Sequence, residues 1–123
     1  MFKYEMFKDM VERRNQIHSD YYEGIQMAWN EMLTLFQTPE DFDLCADYML
    51  DGMSEDEFLT FTEIIEDVPR ECITEKFVDA LEYAINKYPV MDPKHPDQIY
   101  KDSYERYMLK VFKKELENRK KTN

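Results

Sequence analysis

The chain of 123 residues has 43% hydrophobic residues, which suits one domain with one core and leaves no room for two. Its 27 acidic and 16 basic residues give a net charge of −11 at pH 7, so we expect it to repel nucleic acid rather than bind it directly. Residues 1–9 alternate charged and apolar side chains, unlike a secretory signal, and no segment approaches membrane-spanning length. We therefore expect a cytoplasmic protein without membrane contact, in which Cys45 and Cys72 are reduced thiols.

Glycine is scarce in this sequence and helix-favouring residues are common. The two glycines, Gly24 and Gly52, leave few positions for tight turns with positive φ, whereas Met, Leu, Glu, Lys and Ala favour helix. The sequence predicts an all-α protein without a sheet, folded as a single compact, bundle-like domain of four or five helices over residues 1–123. We expect no cofactor, no metal site and no catalytic site.

The first predicted unit covers residues 1–37. Two helices are one alternative there, because Ser19 followed by Asp20 resembles an N-cap, and Gly24 weakens a helix interior by about 1 kcal/mol relative to Ala. The unbroken helical period of the apolar residues favours a single helix instead. These residues are Phe7, Met10, Val11, Ile17, Tyr21, Ile25, Trp29, Met32, Leu33 and Phe36.

Two start signals define the next helices of the acidic region, residues 38–88. Thr38 supplies a capping hydroxyl and Pro39 suits the first helical position, so the second helix begins at Pro39. Residues 54–57 match a capping box, which starts a third helix that runs to about residue 67. Gly52 is expected to end the second helix in a left-handed conformation. The predicted buried residues are Phe42, Cys45, Ala46, Met49 and Leu50, then Phe58, Leu59, Phe61, Ile64 and Ile65.

Prolines delimit the remaining predicted helices. Pro69 ends the third helix, because the residue before a proline is disfavoured in the α region. A fourth helix then runs to about Lys87, and residues 89–96, with three prolines, predict a stiff extended connection. The last helix, residues 97–117, is basic, and residues 118–123 are expected to fray. The core-facing residues of these two helices are predicted to be Ile73, Phe77, Ala80, Leu81, Ala84, Ile85 and Tyr88, then Tyr100, Tyr104, Tyr107, Met108, Val111, Phe112 and Leu116.

Charge is distributed unevenly along the chain. Residues 15–69 contain 14 acidic residues and no Lys or Arg. Residues 1–37 have six acids and four bases (−2), residues 38–82 have fifteen and two (−13), and residues 83–123 have six and ten (+4), which together give the net −11. The sequence therefore predicts an acidic body with a basic C-terminal helix.

The acidic residues fall in rows on the predicted helices. Residues three or four apart share a helix face, with carboxylates about 6 Å apart along the axis. Like charges at such spacings destabilise a helix by about 0.2–0.5 kcal/mol per pair, or about 2–4 kcal/mol for about eight pairs. We name as the acidic surface the eleven residues of three rows: Glu40, Asp43, Asp47 and Asp51; Asp56, Glu63 and Asp67; and Glu71, Glu75, Asp79 and Glu82.

The acidic surface has two interpretations. It is either a solvated face that the protein's own Lys and Arg partly neutralise, or a ladder of negative charge that a phosphate-binding surface accepts in place of nucleic acid. The near absence of bases within the rows favours the ladder. Since the apolar stripe of the C-terminal helix must face the core, we expect Lys110, Lys113 and Lys114 to point away from the acidic surface.

The predicted function is that of a non-catalytic, acidic protein-binding module. The favoured class is an inhibitor or antidote, such as an immunity protein, an antitoxin or a phage-encoded anti-defence (anti-CRISPR) protein, which blocks a basic, nucleic-acid-binding surface of another protein. The alternative is a structural adaptor that docks on a helical partner, or on a second copy of itself as a homodimer, through exposed Met and Tyr side chains. The residues expected to form that contact patch are Met6, Tyr22, Met27, Tyr48, Met53, Tyr83 and Met91.

Two parts of the acidic region resemble metal motifs. Residues 47–58 resemble an EF-hand loop, but Met49 and Phe58 occupy positions that need oxygen ligands. Residues 63–66 and 79–82 together resemble the acidic magnesium motif of all-α nucleotide pyrophosphohydrolases, but with the second half reversed. We therefore expect no bound cation at either place.

Arg13 and His18 form an Arg-x4-His pattern that resembles the motif of HEPN-type helical ribonucleases. The resemblance implies, as an alternative function, a small ribonuclease in which Arg13 steadies the phosphate and His18 moves a proton. It covers six residues near the N-terminus rather than late in the domain, and a spacing of five places the two side chains on diverging faces of an unbroken helix. Two solvated surface residues are therefore the favoured interpretation.

Overall fold

A computed structural model describes residues 1–122 of the protein, without the side chain of Thr122. Its α-helices are α1 (Tyr4–Asn15), α2 (Tyr22–Leu33), α3 (Pro39–Asp51), α4 (Glu55–Thr62), α5 (Glu75–Lys87) and α6 (Tyr104–Thr122), and 3-10 helices cover Ile65–Asp67 and Arg70–Cys72. Within these residues there is no strand or sheet, only an isolated bridge between Met91 and Ile99. The all-α prediction is confirmed, although the described chain forms six α-helices instead of four or five. None of these helices is long and apolar enough to cross a membrane.

The favoured single N-terminal helix is wrong. α1 ends at Asn15 and α2 begins at Tyr22. One helix over residues 2–37 would extend about 54 Å at about 1.5 Å per residue, well beyond the roughly 30 Å diameter of a small domain, so its apolar row could not reach one core. The Phe2 and Phe36 rings lie 5.5 Å apart, which means that α2 returns antiparallel to α1.

The turn between α1 and α2 does not use the predicted cap. Tyr21 precedes α2 and makes no side-chain capping bond, so Ser19 is not the N-cap. The Asp20 N–H instead donates to His18 Nδ1 at 3.1 Å, inside the turn. A Cβ atom on Gly24 would lie 2.6 Å from the Tyr21 ring. Any side chain at this position would therefore displace that ring.

The predicted starts of α3 and α4 are confirmed. The Asp41 N–H donates to Thr38 Oγ1 at 3.3 Å, and the Thr38 N–H donates to the Asp41 carboxylate at 3.1 Å. Ser54 and Glu57 form the same reciprocal pair, with both bonds at 3.2 Å. The predicted left-handed Gly52 is wrong, because its φ of −168° is extended backbone that any residue adopts.

α4 is shorter than predicted. It ends at Thr62, after which the Glu63 and Ile64 N–H groups donate to carbonyls three residues back, so the chain tightens out of α-helical geometry. Leu50 and Leu59, which were predicted to be buried, are 46% and 42% exposed. The predicted burial is confirmed for Phe42, Cys45, Ala46, Met49, Phe58, Phe61, Ile64 and Ile65.

The last helix begins at Tyr104, later than the predicted Asp97. The segment before it turns back on itself, since the Tyr100 N–H donates to the Val90 carbonyl at 2.8 Å. Ser103 caps the N-terminus of this helix, because its Oγ accepts a hydrogen bond from the backbone N–H of Arg106 at 3.4 Å.

The C-terminal part of α6 is helical where fraying was predicted. The helix continues through residues 118–122, and Asn123 lies outside the described residues. Arg119 supports this end, because its guanidinium donates to the Ile73 carbonyl at 2.7 Å and also to the Arg70 carbonyl. These bonds hold α6 against the turn that precedes α5.

One connected cluster of buried side chains draws on all six α-helices. Phe77 on α5 lies at its centre. The Phe77 ring is 4.9 Å from the ring of Phe42 on α3, 6.0 Å from that of Phe61 on α4 and 6.1 Å from that of Phe112 on α6. α3 and α5 therefore pack on each other across the core. Most of their acidic residues lie at its exposed edges, whereas Asp41 on α3 is buried.

A few side chains face the opposite way from the prediction. Tyr104 and Tyr107 on α6 are 42% and 60% exposed, because the helix turns Met108, Leu109 and Phe112 toward the core instead. Met53, predicted to be exposed, is 2% exposed, and its carbonyl accepts a hydrogen bond from the Tyr88 hydroxyl at 3.0 Å. Both cysteines are free thiols.

Candidate acidic interaction surface

The acidic surface is divided among more elements than predicted. α3 carries Glu40, Asp43, Asp47 and Asp51, α5 carries Glu75, Asp79 and Glu82, and the remaining Asp56, Glu63, Asp67 and Glu71 lie on α4, just after it, and on the two 3-10 helices. The predicted row on the third helix is wrong, because the backbone leaves α-helical geometry after Thr62. Two rows of carboxylates at steps of three or four therefore remain, on the neighbouring helices α3 and α5.

One lysine of α5 lies close to the α3 row. Lys76 Nζ lies 2.6 Å from Asp47 Oδ1. This hydrogen bond, with the charges of Asp47, Asp43 and Asp51, raises the pKa of Lys76 against the opposing effect of desolvation. Both paired side chains are about half exposed, so the pair contributes little stability. Lys76 nevertheless offsets part of the negative charge of this row.

The α5 row is flanked by bases of α6. Lys113 Nζ lies 3.0 Å from Glu82, and Lys120 Nζ lies 3.7 Å from Glu75. The expectation that Lys113 points away from the acidic surface is therefore wrong. Leu109 and Phe112 face the core, and Lys113 directly follows Phe112 in the helix. Its side chain therefore lies at the boundary with α5.

Glu63 links three elements of the fold at the protein surface. Arg14 on α1 binds its carboxylate with two hydrogen bonds, Nε at 2.8 Å and Nη2 at 2.9 Å. The indole N–H of Trp29 on α2 donates to the same carboxylate at 2.9 Å. One carboxylate thus joins α1, α2 and the end of α4, and the Arg14 side chain is only 16% exposed.

Removing the Arg14 guanidinium is expected to destabilise the fold. Arg14→Met leaves the Glu63 carboxylate without its two charge-assisted hydrogen bonds, and we expect a loss of about 1–3 kcal/mol in the free energy of unfolding, measured by urea denaturation. Arg13→Met is the matched control, since the Arg13 pair with Glu31 is about half exposed and should be worth about 0–1 kcal/mol. Equal losses for the two variants would show that Glu63 does not join these helices.

Most of the acidic surface has no base in contact among residues 1–122. Four of its eleven residues, Asp47, Glu63, Glu75 and Glu82, lie within 4.0 Å of a Lys or Arg nitrogen. That leaves seven for which residues 1–122 supply no such contact: Glu40, Asp43, Asp51, Asp56, Asp67, Glu71 and Asp79. Asp43 accepts a hydrogen bond from the Thr74 hydroxyl at 2.6 Å, and the other six are exposed.

Asp41 and Glu57, which lie outside the acidic surface, are the buried acidic residues among residues 1–122, and both have structural roles. Asp41, 2% exposed, accepts hydrogen bonds from the N–H groups of Phe2 at 2.7 Å, Gln37 at 3.0 Å and Thr38 at 3.1 Å. Burial alone would raise the pKa of Asp41, but these bonds together lower it. The capping pattern at Thr38 correctly predicted a helix start here. No pattern in the neighbouring sequence indicated that Asp41 also binds the N–H of Phe2.

Five of the seven residues of the predicted Met/Tyr patch are exposed, and they are spread over several elements. Met6 lies on α1, Tyr22 and Met27 on α2, Tyr83 on α5 and Met91 in the segment before α6, with exposures between 41% and 68%. Of the other two, Met53 is buried and Tyr48 is partly buried.

The structure holds Arg13 and His18 in separate surroundings. α1 ends before His18, so the argument from an unbroken helix does not apply. The Arg13 guanidinium lies 3.2 Å from Asp9 and 3.0 Å from Glu31. His18 lies in the turn beside Asp20, with Nδ1 3.6 Å from its carboxylate. Arg13 is thus occupied by carboxylates, where a ribonuclease needs it to bind a phosphate.

The two regions that resemble metal motifs have other roles. Asp47 and Asp51 are on α3, and α4 begins at Glu55, so most of the EF-hand-like segment is helix and not a loop. In the second region Glu66 accepts a hydrogen bond from the Tyr104 hydroxyl at 2.7 Å. Across the described residues, no group of three or more His, Cys, Asp or Glu side chains is arranged to hold a metal ion.

Comparison of the chain with family models, with curated proteins and with solved structures finds no match in any of the three.

Proposed function

We propose that this protein is a non-catalytic inhibitor that binds a basic, nucleic-acid-binding surface of another protein through its acidic surface. The observation that carries the proposal is that seven of the eleven carboxylates have no Lys or Arg contact within residues 1–122, although residues 83–123 contain ten bases. If the acidic surface served only the stability of the fold, we would expect more of its carboxylates to form ion pairs with those bases.

The spacing of the carboxylates suits recognition by a phosphate-binding surface. Residues at steps of three or four on α3 and α5 present negative charges about 6 Å apart. Arg and Lys side chains that neutralise nucleic-acid phosphates form the same charge-assisted hydrogen bonds with carboxylates. An immunity protein, an antitoxin or an anti-CRISPR protein would act in this way, by occupying the groove that its partner needs for nucleic acid.

Glu40 and Glu71, two of the seven carboxylates without a base in contact, lie on neighbouring elements of the fold. The Cys72 thiol donates to the Gln37 carbonyl at 3.4 Å, which places the 3-10 helix that contains Glu71 next to the start of α3, where Glu40 lies. Asp79 continues the negative charge along α5. A partner that contacts all three would cover the outer sides of two packed helices.

A pull-down from a cell lysate tests this proposal. We expect the wild-type protein to retain basic, nucleic-acid-binding proteins at about 50 mM salt and to release them at about 500 mM, because each displaced ion weakens such contacts. A neutralised variant, Glu40→Gln/Glu71→Gln/Asp79→Asn, should lose most of the retained protein.

The matched control changes the same charge elsewhere. Glu12→Gln/Glu23→Gln/Asp97→Asn removes two Glu and one Asp charge from exposed positions outside the acidic surface, and it should retain the partner as the wild type does. If the neutralised variant and the control retain equal amounts, net charge and not the acidic surface drives the binding.

A further inference from the structure

A cleft with a volume of about 510 Å³ opens between the N-terminal segment and α3. Residues 1–5 form one wall, and Leu44, Tyr48 and Gly52 line the other. The Tyr4 and Tyr48 rings are stacked in it, with centroids 5.3 Å apart. The cleft is lined largely by apolar and aromatic atoms, as expected for a site that takes an apolar group.

The walls of this cleft are held in place by bonds on both sides. The Tyr48 hydroxyl donates to Glu57 at 2.6 Å, and Glu57 is itself fixed by the capping box at the start of α4. On the other wall, the Phe2 N–H donates to the buried Asp41 at 2.7 Å. The cleft is therefore formed before any partner binds, which lowers the entropic cost of binding there.

Three carboxylates, Glu5, Asp47 and Asp51, lie on the rim of the cleft, and Lys3 is the cationic side chain among the lining residues. Met1 also lines the cleft, and its amine lies 3.9 Å from the buried Asp41. Lys76 also lies beside Asp47, at 2.6 Å. Asp51 has no Lys or Arg nitrogen within 4.0 Å in the part of the chain that the structure describes. Asp47 and Asp51 also belong to the acidic surface, so the cleft continues that surface.

We propose that this cleft binds an apolar side chain flanked by Lys or Arg on the partner's basic surface. The apolar walls take the side chain, and the carboxylates of the rim pair with the flanking bases. This inference rests on the proposed function, since it names the segment of the partner that the acidic surface would recognise. Burial of such an anchor would supply affinity that a purely electrostatic contact lacks at physiological salt.

The proposal can be tested with a labelled amphipathic peptide of Leu and Lys, in which Leu recurs at helical spacing. Fluorescence anisotropy should show binding to the wild-type protein, and NMR shift changes should be greatest at Leu44 and Tyr48. A matched peptide with Ser in place of Leu should bind at least about tenfold more weakly. Equal binding of the two peptides would overturn the proposal, because it would reduce the contact to charge alone.

Variants of the protein locate the contact. Tyr4→Ala should weaken peptide binding about tenfold, since it removes one face of the aromatic stack. Tyr83→Ala is the control, because Tyr83 is similarly exposed, at 45% against 52% for Tyr4, and lies on α5 outside the cleft. Equal binding by these two variants would overturn the proposal. Circular dichroism of both variants checks that a loss is not caused by unfolding.

The two proposals fail in different ways. If the wild type and Tyr4→Ala retain the same partner equally from a lysate, the cleft proposal is wrong and the acidic surface alone accounts for binding. If the Leu and Lys peptide occupies the cleft but the lysate yields no nucleic-acid-binding protein, the proposed function is wrong and the cleft stands as a site for basic, apolar segments.

Discussion

Phe77→Ala is expected to lower the free energy of unfolding by about 3–5 kcal/mol, the range for removing a fully buried aromatic ring. The Phe77 side chain is 0% exposed and touches the rings of Phe42, Phe61 and Phe112. Its removal would open a cavity where α3, α4, α5 and α6 meet. Urea denaturation followed by circular dichroism measures the change.

An apolar control separates this effect from a general loss of hydrophobic content. Leu59→Ala removes a side chain that is 42% exposed, so we expect a change below about 1 kcal/mol. If Phe77→Ala destabilised the protein no more than Leu59→Ala, the four helices would not share the core around Phe77.

Asp41→Ala is expected to destabilise the fold by about 2–4 kcal/mol at neutral pH. It leaves three backbone N–H groups without their charged acceptor and removes the reciprocal cap of α3. It also releases the bond to Phe2, which holds the N-terminal segment against the core. Exposed Asp97 supplies the control, because Asp97→Ala should change the free energy of unfolding by less than about 0.5 kcal/mol.

Asp41 should also make the free energy of unfolding depend on pH. The folded-state pKa of Asp41 is lowered from its ordinary value of 3.8, so its ionised form stabilises the fold above that value. This stabilisation is lost as the pH falls below 3.8 and through the folded-state pKa. The difference in stability between wild type and Asp41→Ala should thus be constant near neutral pH and shrink in acid. A difference that grows in acid would contradict the assignment.

Local signals in the sequence predicted where α3 and α4 begin, but not where α4 ends. A capping hydroxyl followed by proline at Thr38 and Pro39, and the capping box at Ser54, act within one helical turn, so they can be interpreted without knowledge of the fold. Periodicity was less informative in residues 1–37. It identifies the apolar face but continues across the turn at residues 16–21, so it cannot show that the backbone reverses there.

The candidate site was predictable only in part. The rows of acidic residues were predicted on the assumption that each helix is uninterrupted. The assumption holds on α3 but fails after Thr62, where hydrogen bonds between residues three apart replace the α-helical pattern. Contacts distant in sequence could not be read from spacing at all. Arg14 and Glu63 are 49 residues apart, and Lys113 and Glu82 are 31 apart, so only the packing of the helices brings them together.

Displacement of nucleic acid from a captured partner tests the central claim most directly. The partner is loaded with a fluorescently labelled nucleic acid that it binds, and this protein is added while anisotropy is followed. We predict that the wild type and the Glu12→Gln/Glu23→Gln/Asp97→Asn control release the label, and that the Glu40→Gln/Glu71→Gln/Asp79→Asn variant needs about tenfold more protein. A partner that holds this protein and its nucleic acid together, with neither bound more weakly, would contradict the account.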